Sequence, residues 1–345
     1  MKRSPGFALL IASISLLFLF HSLMAADQSP KNQEASPVNN PQSPVLPKLT
    51  FGSRVVLEKL WSPAELQRES APPSQGSSPA AGKPQTTLPP VPAQWRNSIR
   101  RVDPLQNRKV VALTFDLCEG AREVSGYDAE IVNYLRAQQV KATFFAGGKW
   151  LRSHPEQAMQ LMADPLFEIG NHSWSHPHFR DLSEKAMEDQ VMRTQAQYEA
   201  LWQELARRAR AQGIDPSEME KIPRVPLVFR FPYGTCSPEA LGVLARLGLP
   251  AIQWDIVTGD PDKHQYANRI AKLILAKIQP GSIIIGHANG RGWWTADALP
   301  LFVPKLRDLG FTLVTVSELL HCGPALTTQD CYALGAGESL DGSLR

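Results

Sequence analysis

The chain has 345 residues, 43% of them apolar and 20% charged, and a formal net charge of only +3. That composition is ordinary for a globular protein and long enough for one large or two small domains. No Lys/Arg block stands out, so no nucleic-acid partner is expected.

At the start of the chain, Lys2 and Arg3 precede an apolar run over residues 7–20, and small residues lead to Ala25 and Ala26. This is the layout of a signal peptide over residues 1–26. The competing reading is an uncleaved anchor, because residues 7–26 are just long enough to span a bilayer, although His21 interrupts them. Export to the periplasm or the medium makes disulfides permissible. Residues 27–99 are rich in Pro, Ser, Gln and Ala, which predicts a disordered linker and a route to envelope association. Inside it, LTFGSRVVLEKLWSPAELQRE is a candidate short helix or docking segment. Residues 323–345 read as a loose tail. One folded domain, residues 100–322, remains.

Within that domain, extended and helical patterns alternate. VVALTFD precedes the helical DAEIVNYLRAQQ, and KATFFAGG precedes PEQAMQLMAD. FEIGNHS is followed by a long amphipathic stretch over residues 183–213. LVFRFPYG precedes SPEALGVLARLG, PAIQWDI precedes ANRIAKLILAKIQ, and SIIIGHA precedes ADALPLFVPKLRDLG. FTLVTVSELL closes the series. About seven strands separated by helices predict a parallel α/β fold. A distorted (β/α) barrel is favoured over an open sheet, because five strands end in ionisable residues: Asp116, the His172 region, Arg230 with Tyr233, Asp255 with Asp260, and His287. Barrel strands bring their C-terminal ends to one face.

His172 and His176 are four apart, so one helical turn would put both imidazoles on one face, a spacing suited to Zn²⁺ or a similar divalent ion. His178 is expected to be a neighbour rather than a ligand. Arg230 emerges from an apolar strand and needs a carboxylate partner, Asp116 or Asp255. The turn Pro232-Tyr233-Gly234 could aim backbone N–H groups at an anionic centre. His287 can act as a general acid.

Taken in order, TFDLCEG, HSWSH, RFPYG, WDIVTGDP and IIIGHANG resemble the five motifs of the polysaccharide deacetylase family (carbohydrate esterase family 4, the NodB-homology domain). The resemblance covers residues 109–320. It implies a NodB-type deacetylase barrel that uses a divalent metal, Zn²⁺ being the expected ion, to hydrolyse acetyl groups from an acetylated glycan. It also implies residue roles. Asp116 matches the general base, His172 and His176 the metal ligands, and Arg230 the residue that orients the base. Tyr233 matches the backbone donor to the oxyanion and His287 the general acid.

The first motif departs from the family's TFDDG, because Asp116 is followed by Leu117, which cannot bind a metal. Three readings stay open: the ligand is missing, Cys118 replaces it, or a two-residue insertion lets Glu119 reach the metal. The insertion is favoured, which makes Glu119 the expected third ligand. In the fourth motif Val257 stands where many relatives carry a further Asp, so Asp260 is the expected partner of Arg230 or His287. The four Cys allow three pairings. Converging barrel loops favour Cys118 with Cys236, and the short spacing favours Cys322 with Cys331. Trp174, Trp254, Trp293 and Trp294 either stack on sugar rings or pack in the core. The leading function is an exported, metal-dependent carbohydrate deacetylase; the alternative is a non-catalytic barrel of the same fold that binds envelope glycan. A metal-free amidase is disfavoured, because this chain keeps the His pair.

Overall fold

The computed structural model describes residues 50–68, 82–329 and 331. The expected signal segment, the rest of the expected linker and residues 332–345 lie outside the described residues. In chain order the elements are α1 (Arg54–Leu60), α2 (Pro63–Leu66), β1 (Ser98–Val102), β2 (Val110–Leu117), α3 (Ala129–Ala137), β3 (Ala142–Ala146), α4 (Gly148–Ser153), α5 (Pro155–Ala163) and β4 (Phe167–Asn171). Then come α6 (Glu184–Ala211), α7 (Pro216–Glu220), α8 (Pro238–Leu247), β5 (Ile256–Val257), α9 (Ala267–Lys277), β6 (Ile283–His287), α10 (Thr295–Asp308), β7 (Thr312–Val314), α11 (Val316–Leu320) and β8 (Ala325–Thr328).

The central sheet is parallel and runs β4-β3-β2-β6-β5, with β7 beside the first half of β2. Single parallel bridges from Asn171 to Phe229 and from Phe229 to Ala251 continue the ring from β4 toward the segment that leads into β5. The result is a distorted (β/α) barrel, part of whose wall is irregular chain rather than full strands.

Strand alternation sorts the core into two layers. Leu113, Phe115 and Leu117 of β2 pack outward with α3 and α10 residues such as Ile131, Leu135, Leu299 and Phe302. Val110 and Ala112 pack inward with Phe145, Ile283 and Ile285. The inward face of β2 therefore continues through Thr114 to Asp116. Among the helices, α8 shows clean punctuation: the Ser237 side chain caps it, Pro238 opens it, and Gly248 closes it at φ 80°.

Two expectations about the flanks need correction. Within the expected 27–99 linker, the described stretches are packed rather than disordered. Ser53 caps α1, and Val56, Leu57 and Trp61 are buried in the main core. The Trp61 indole donates to Glu156 at 2.5 Å. Burial of such side chains contributes on the order of 1.5–3 kcal/mol each, and they belong to the stretch LTFGSRVVLEKLWSPAELQRE, expected as a candidate short helix or docking segment. Farther on, the Gln85 and Thr86 amides donate to Glu199, and Val91 and Trp95 are buried. The described start of the expected loose tail is likewise tied down, since β8 pairs antiparallel with β1. The disulfide is Cys236–Cys331, while Cys118 and Cys322 are free and buried. Both expected pairings are therefore replaced. Cys118 stands two residues after Asp116 at the mouth of the barrel, away from the Phe179, Phe231 and Leu244 cluster that surrounds Cys236 and Cys331. Among the described residues no helix is long and apolar enough to cross a membrane.

Candidate active site

The C-terminal ends of β2, β4 and β6 and the irregular Phe229–Arg230 segment converge, and backbone bonds fix their mutual register. The Ala288 amide donates to the Asp116 carbonyl at 3.2 Å, His172 N to Ala146 O at 3.0 Å, and Arg230 N to Asn171 O at 2.9 Å. This convergence brings Asp116, Arg230, His172, His176 and His287 to one end of the barrel, together with Cys118.

Arg230 is fully buried and donates to Asp116 Oδ1 at 2.9 Å. Its other nitrogens reach the Ile252 and Gln253 carbonyls, each at 3.3 Å, and its guanidinium lies 4.0 Å from the centre of the Phe145 ring. Asp116, not Asp255, is thus its carboxylate partner. Asp255 instead accepts from Ser282 and from the Ile283 amide. Burial pushes the Asp116 carboxyl up, but the charges of His172, Arg230 and His287 outweigh it and hold the group below the usual carboxylate value.

The His pair is positioned by a loop and not by the helical turn that its spacing suggested. Ser173 and His176 adopt positive φ values of 65° and 57°. Gln190 of α6 accepts from the Trp174 and Ser175 amides, each at 3.0 Å, and so holds the loop shape. His172 and His176 still meet, with ring centroids 4.9 Å apart. His172 Nδ1 lies 2.9 Å from the Arg230 carbonyl. A carbonyl can only accept, so in the neutral ring this contact places the proton on Nδ1 and leaves the lone pair on Nε2. Nε2 faces Cys118 Sγ at 3.5 Å and Asp116 Oδ2 at 3.6 Å. One donor atom each from Cys118, His172 and His176 lie within 4.8 Å of one another.

Glu119, expected as the third metal ligand, does not join this group. Its carboxylate accepts from Ser153 Oγ at 2.8 Å and from the Ser125 amide at 3.3 Å, with Lys149 Nζ 3.8 Å away. Leu117 points outward, so the residue next on the inward face after Asp116 is Cys118. Burial pushes its thiol up, but the facing imidazoles of His172, His176 and His287 outweigh that and bring it well below its ordinary value. A cysteine and two histidines, one oriented by a backbone carbonyl, make a donor set that fits Zn²⁺, which binds such groups as thiolate and neutral imidazoles.

His287 holds Asp260 through two contacts. Its amide donates to Oδ2 at 2.7 Å, and its Nδ1 lies 3.0 Å from Oδ1. Thr258 and Thr295 hydroxyls donate to the same carboxylate. Asp260 therefore partners His287 and not Arg230. Burial lowers the affinity of His287 for its proton, but the Asp260 charge outweighs burial and raises it well above the ordinary imidazole value. Tyr233 sits in its tight turn at φ 58° and is 49% exposed. Its ring packs against His176 at 4.4 Å and stacks on His178 at 3.8 Å, which makes His178 a neighbour of the pair. Two supporting residues carried no signal in the sequence. Lys149 Nζ donates to the Gly120, Ala121 and Glu123 carbonyls, and the Asn289 side chain donates to the Cys118 carbonyl at 2.7 Å.

The polysaccharide deacetylase family profile matches residues 104–212. The chain is 27% identical over 221 residues to peptidoglycan-N-acetylglucosamine deacetylase PgdA of Listeria monocytogenes, covering 64% of this chain and 41% of that protein. It is 31% identical over 221 residues to peptidoglycan-N-acetylmuramic acid deacetylase PdaC of Bacillus subtilis, covering 63% and 40%. The chain thus spans about two fifths of the length of these curated relatives. Among solved structures it resembles a CE4 family pseudoenzyme from Bacillus anthracis, at 26% identity and a TM-score of 0.51, covering 65% of this chain and 68% of that one. With its barrel, its five strand-end motifs in order and its divergent first motif, the chain resembles the polysaccharide deacetylase family, carbohydrate esterase family 4, whose profile it matches over residues 104–212.

Proposed function

We propose that the protein is an exported, metal-dependent hydrolase that removes acetyl groups, N-acetyl groups in the first instance, from an envelope or imported polysaccharide. The observation that carries this reading is the convergence at one barrel mouth of an Arg-paired carboxylate, a thiolate–imidazole donor set and an Asp-paired histidine. Cys118, His172 and His176 would hold a divalent ion such as Zn²⁺. When bound, the ion supplies Lewis-acid polarisation of the acetyl carbonyl. The thiolate gives the site the anionic charge that two neutral imidazoles lack.

Asp116, fixed by Arg230 through Oδ1, keeps Oδ2 for a proton from the attacking water as the water oxygen bonds to the acetyl carbon. Arg230 positions that base. On the other side His287, kept protonated by Asp260, gives its proton to the sugar nitrogen as the carbon–nitrogen bond breaks. Free amine and acetate are the products. The Tyr233 turn is assigned the backbone donor for the developing oxyanion, and its ring braces His176. Export is supported by the basic–apolar start of the chain and by a disulfide, which needs an oxidising compartment.

A second reading has its own support. Leu117 faces the helices, so β2 brings only one carboxylate to the site, and the similar Bacillus anthracis barrel is described as a pseudoenzyme. On that reading the barrel binds envelope glycan without cleaving it. Metal analysis of protein purified without added metal, together with acetate release from a panel of N- and O-acetylated glycans, separates the two. Stoichiometric metal and released acetate are expected. Glycan binding with neither metal nor acetate would move the protein to the second reading.

A further inference from the structure

β2 ends at Leu117, so Cys118 is the first residue beyond the ladder. Its peptide is held instead by two separate ties. From the β3 side, the Gly147 amide donates to the Leu117 carbonyl at 3.1 Å. From the β6 side, the Asn289 side chain donates to the Cys118 carbonyl at 2.7 Å. A carbonyl only accepts, so the amide nitrogen of Asn289 is the atom that faces Cys118. Asn289 is 2% exposed, and its Oδ1 is buried with no partner among the described residues. An unmet buried acceptor is unfavourable, so packing stability alone does not account for an Asn at this position.

Asp128 in turn holds the loop that carries Asn289. Its amide donates to the Ala288 carbonyl at 3.1 Å, and its Oδ2 accepts from the Gly290 amide at 2.9 Å, one contact on each side of Asn289. Asp128 stands at the N-cap of α3, where an Asp side chain ordinarily accepts from first-turn amides, yet it makes no such bond. The chain gives up a helix cap to fix this loop. A local preference overridden beside a site points to a role in that site. The direction of Cys118 matters there, because its thiol lies within reach of two sets of groups. One donor atom each from Cys118, His172 and His176 lie within 4.8 Å of one another, and so do those of Asp116, Cys118 and His287.

Resting on the reading of Cys118 as a metal ligand, we infer that Asn289 is the positioning residue that aims Cys118 at the His pair, with Asp128 holding Asn289 in place. The test compares wild type with three variants. Asn289→Leu keeps the bulk and loses the donor. Asp128→Ala loses the acceptor for Gly290, and Asp128→Asn loses the charge but keeps an acceptor. Zn²⁺ affinity is read by chelator competition, and the sulfur–metal bond by the charge-transfer absorption of the Co²⁺-loaded protein. In Asn289→Leu and Asp128→Ala the affinity should fall about 10–100-fold and the band should weaken, while Asp128→Asn should match wild type. Wild-type affinity and an unaltered band in Asn289→Leu and Asp128→Ala overturn the inference. Should Asn289→Leu not fold, the Asp128 pair decides it. If wild type takes up no metal, the metal reading falls, and iodoacetamide labelling of the metal-free protein, mapped by mass spectrometry, still decides the positioning. Cys118 should label about tenfold faster in Asn289→Leu and Asp128→Ala than in wild type, with the other buried thiol, Cys322, unchanged. Equal rates at Cys118, or a parallel rise at Cys322, overturn it.

Discussion

The Cys236–Cys331 disulfide closes a loop with a sequence separation of 95 residues. Chain-entropy arithmetic for a loop of this length gives about 4.7 kcal/mol of stabilisation through the unfolded state. The native structure offsets part of the loss when the bond is absent. Arg180 donates to both the Cys236 and Cys331 carbonyls, at 2.7 and 2.9 Å, and the Phe179, Phe231 and Leu244 cluster stays in place around the thiols. The double variant Cys236→Ala/Cys331→Ala should therefore lose about 2–4 kcal/mol in urea unfolding. At roughly 2 °C per kcal/mol for a domain of this size, Tm falls by about 4–8 °C. Thiol titration in denaturant should find Cys118 and Cys322 without reductant, and all four cysteines after reduction. A loss below about 1 kcal/mol in the double variant, or free thiols at Cys236 in oxidised protein, would refute the reasoning.

The metal assignment separates two neighbouring residues. Cys118→Ser should weaken Zn²⁺ retention at least about 100-fold, whereas Glu119→Gln should retain the metal and lose about 1–3 kcal/mol of stability through its buried partners; metal content and urea midpoints read both, and the reverse pattern restores Glu119 as ligand. His154 is buried, with an unpartnered Nε2, and burial pushes its pKa down to about 4. The unfolded chain takes up the proton first, so stability is full above about pH 6.5 and is lost toward pH 4, by up to about 3 kcal/mol. His154→Phe, which keeps the ring stacked on Trp150, should flatten that part of the stability–pH curve, and an unaltered slope counts against the argument. Asp260→Asn removes the charge that raises His287, so the imidazolium should lose its proton at lower pH. The alkaline limb of kcat/KM should move down accordingly, and a limb that stays in place would exclude His287 as the acid.

The barrel and most of the site were legible because both depend on local pattern. Apolar runs ending in Asp116, Arg230 and His287 identify strands, and helices such as α8 and α9 carry a 3.6-residue period, α8 between recognisable caps. What escaped depends on side-chain direction and long-range meeting. The four-residue spacing of His172 and His176 is equally compatible with a loop containing two left-handed residues, and no pattern in HSWSH distinguishes loop from turn. Counting positions along the first motif points to Glu119, but that count ignores which face of the strand each residue takes. Period-two alternation from Asp116 points to Cys118, and the Ser153 and Lys149 partners that take Glu119 lie on a separate helix. Of the docked stretches before β1, the one with Val56, Leu57 and Trp61 was visible as a candidate helix or docking segment, whereas Val91 and Trp95 stand nearly alone among Pro-rich neighbours. Disulfide pairing required knowing which strand-end loops meet, and in three dimensions Cys331 reaches Cys236 first.

The β1–β8 ladder has a kinetic consequence. It joins strands from opposite ends of the described domain, and the disulfide draws on a residue just beyond β8. Contacts so distant in sequence form late, because closing a long loop costs entropy before the contact returns anything. While the chain emerges from a ribosome or a translocon, the parallel strands β2, β3 and β4 can assemble with α3, α4 and α5, but β1 waits with its edge open until β8 arrives. During that interval Cys236 is an unpaired thiol with Cys118 as its only cysteine neighbour in the chain made so far. The two free to meet first are the pair that the finished barrel keeps apart. Oxidation of the chain before Cys331 is available would therefore favour a Cys118–Cys236 pairing over the native bond.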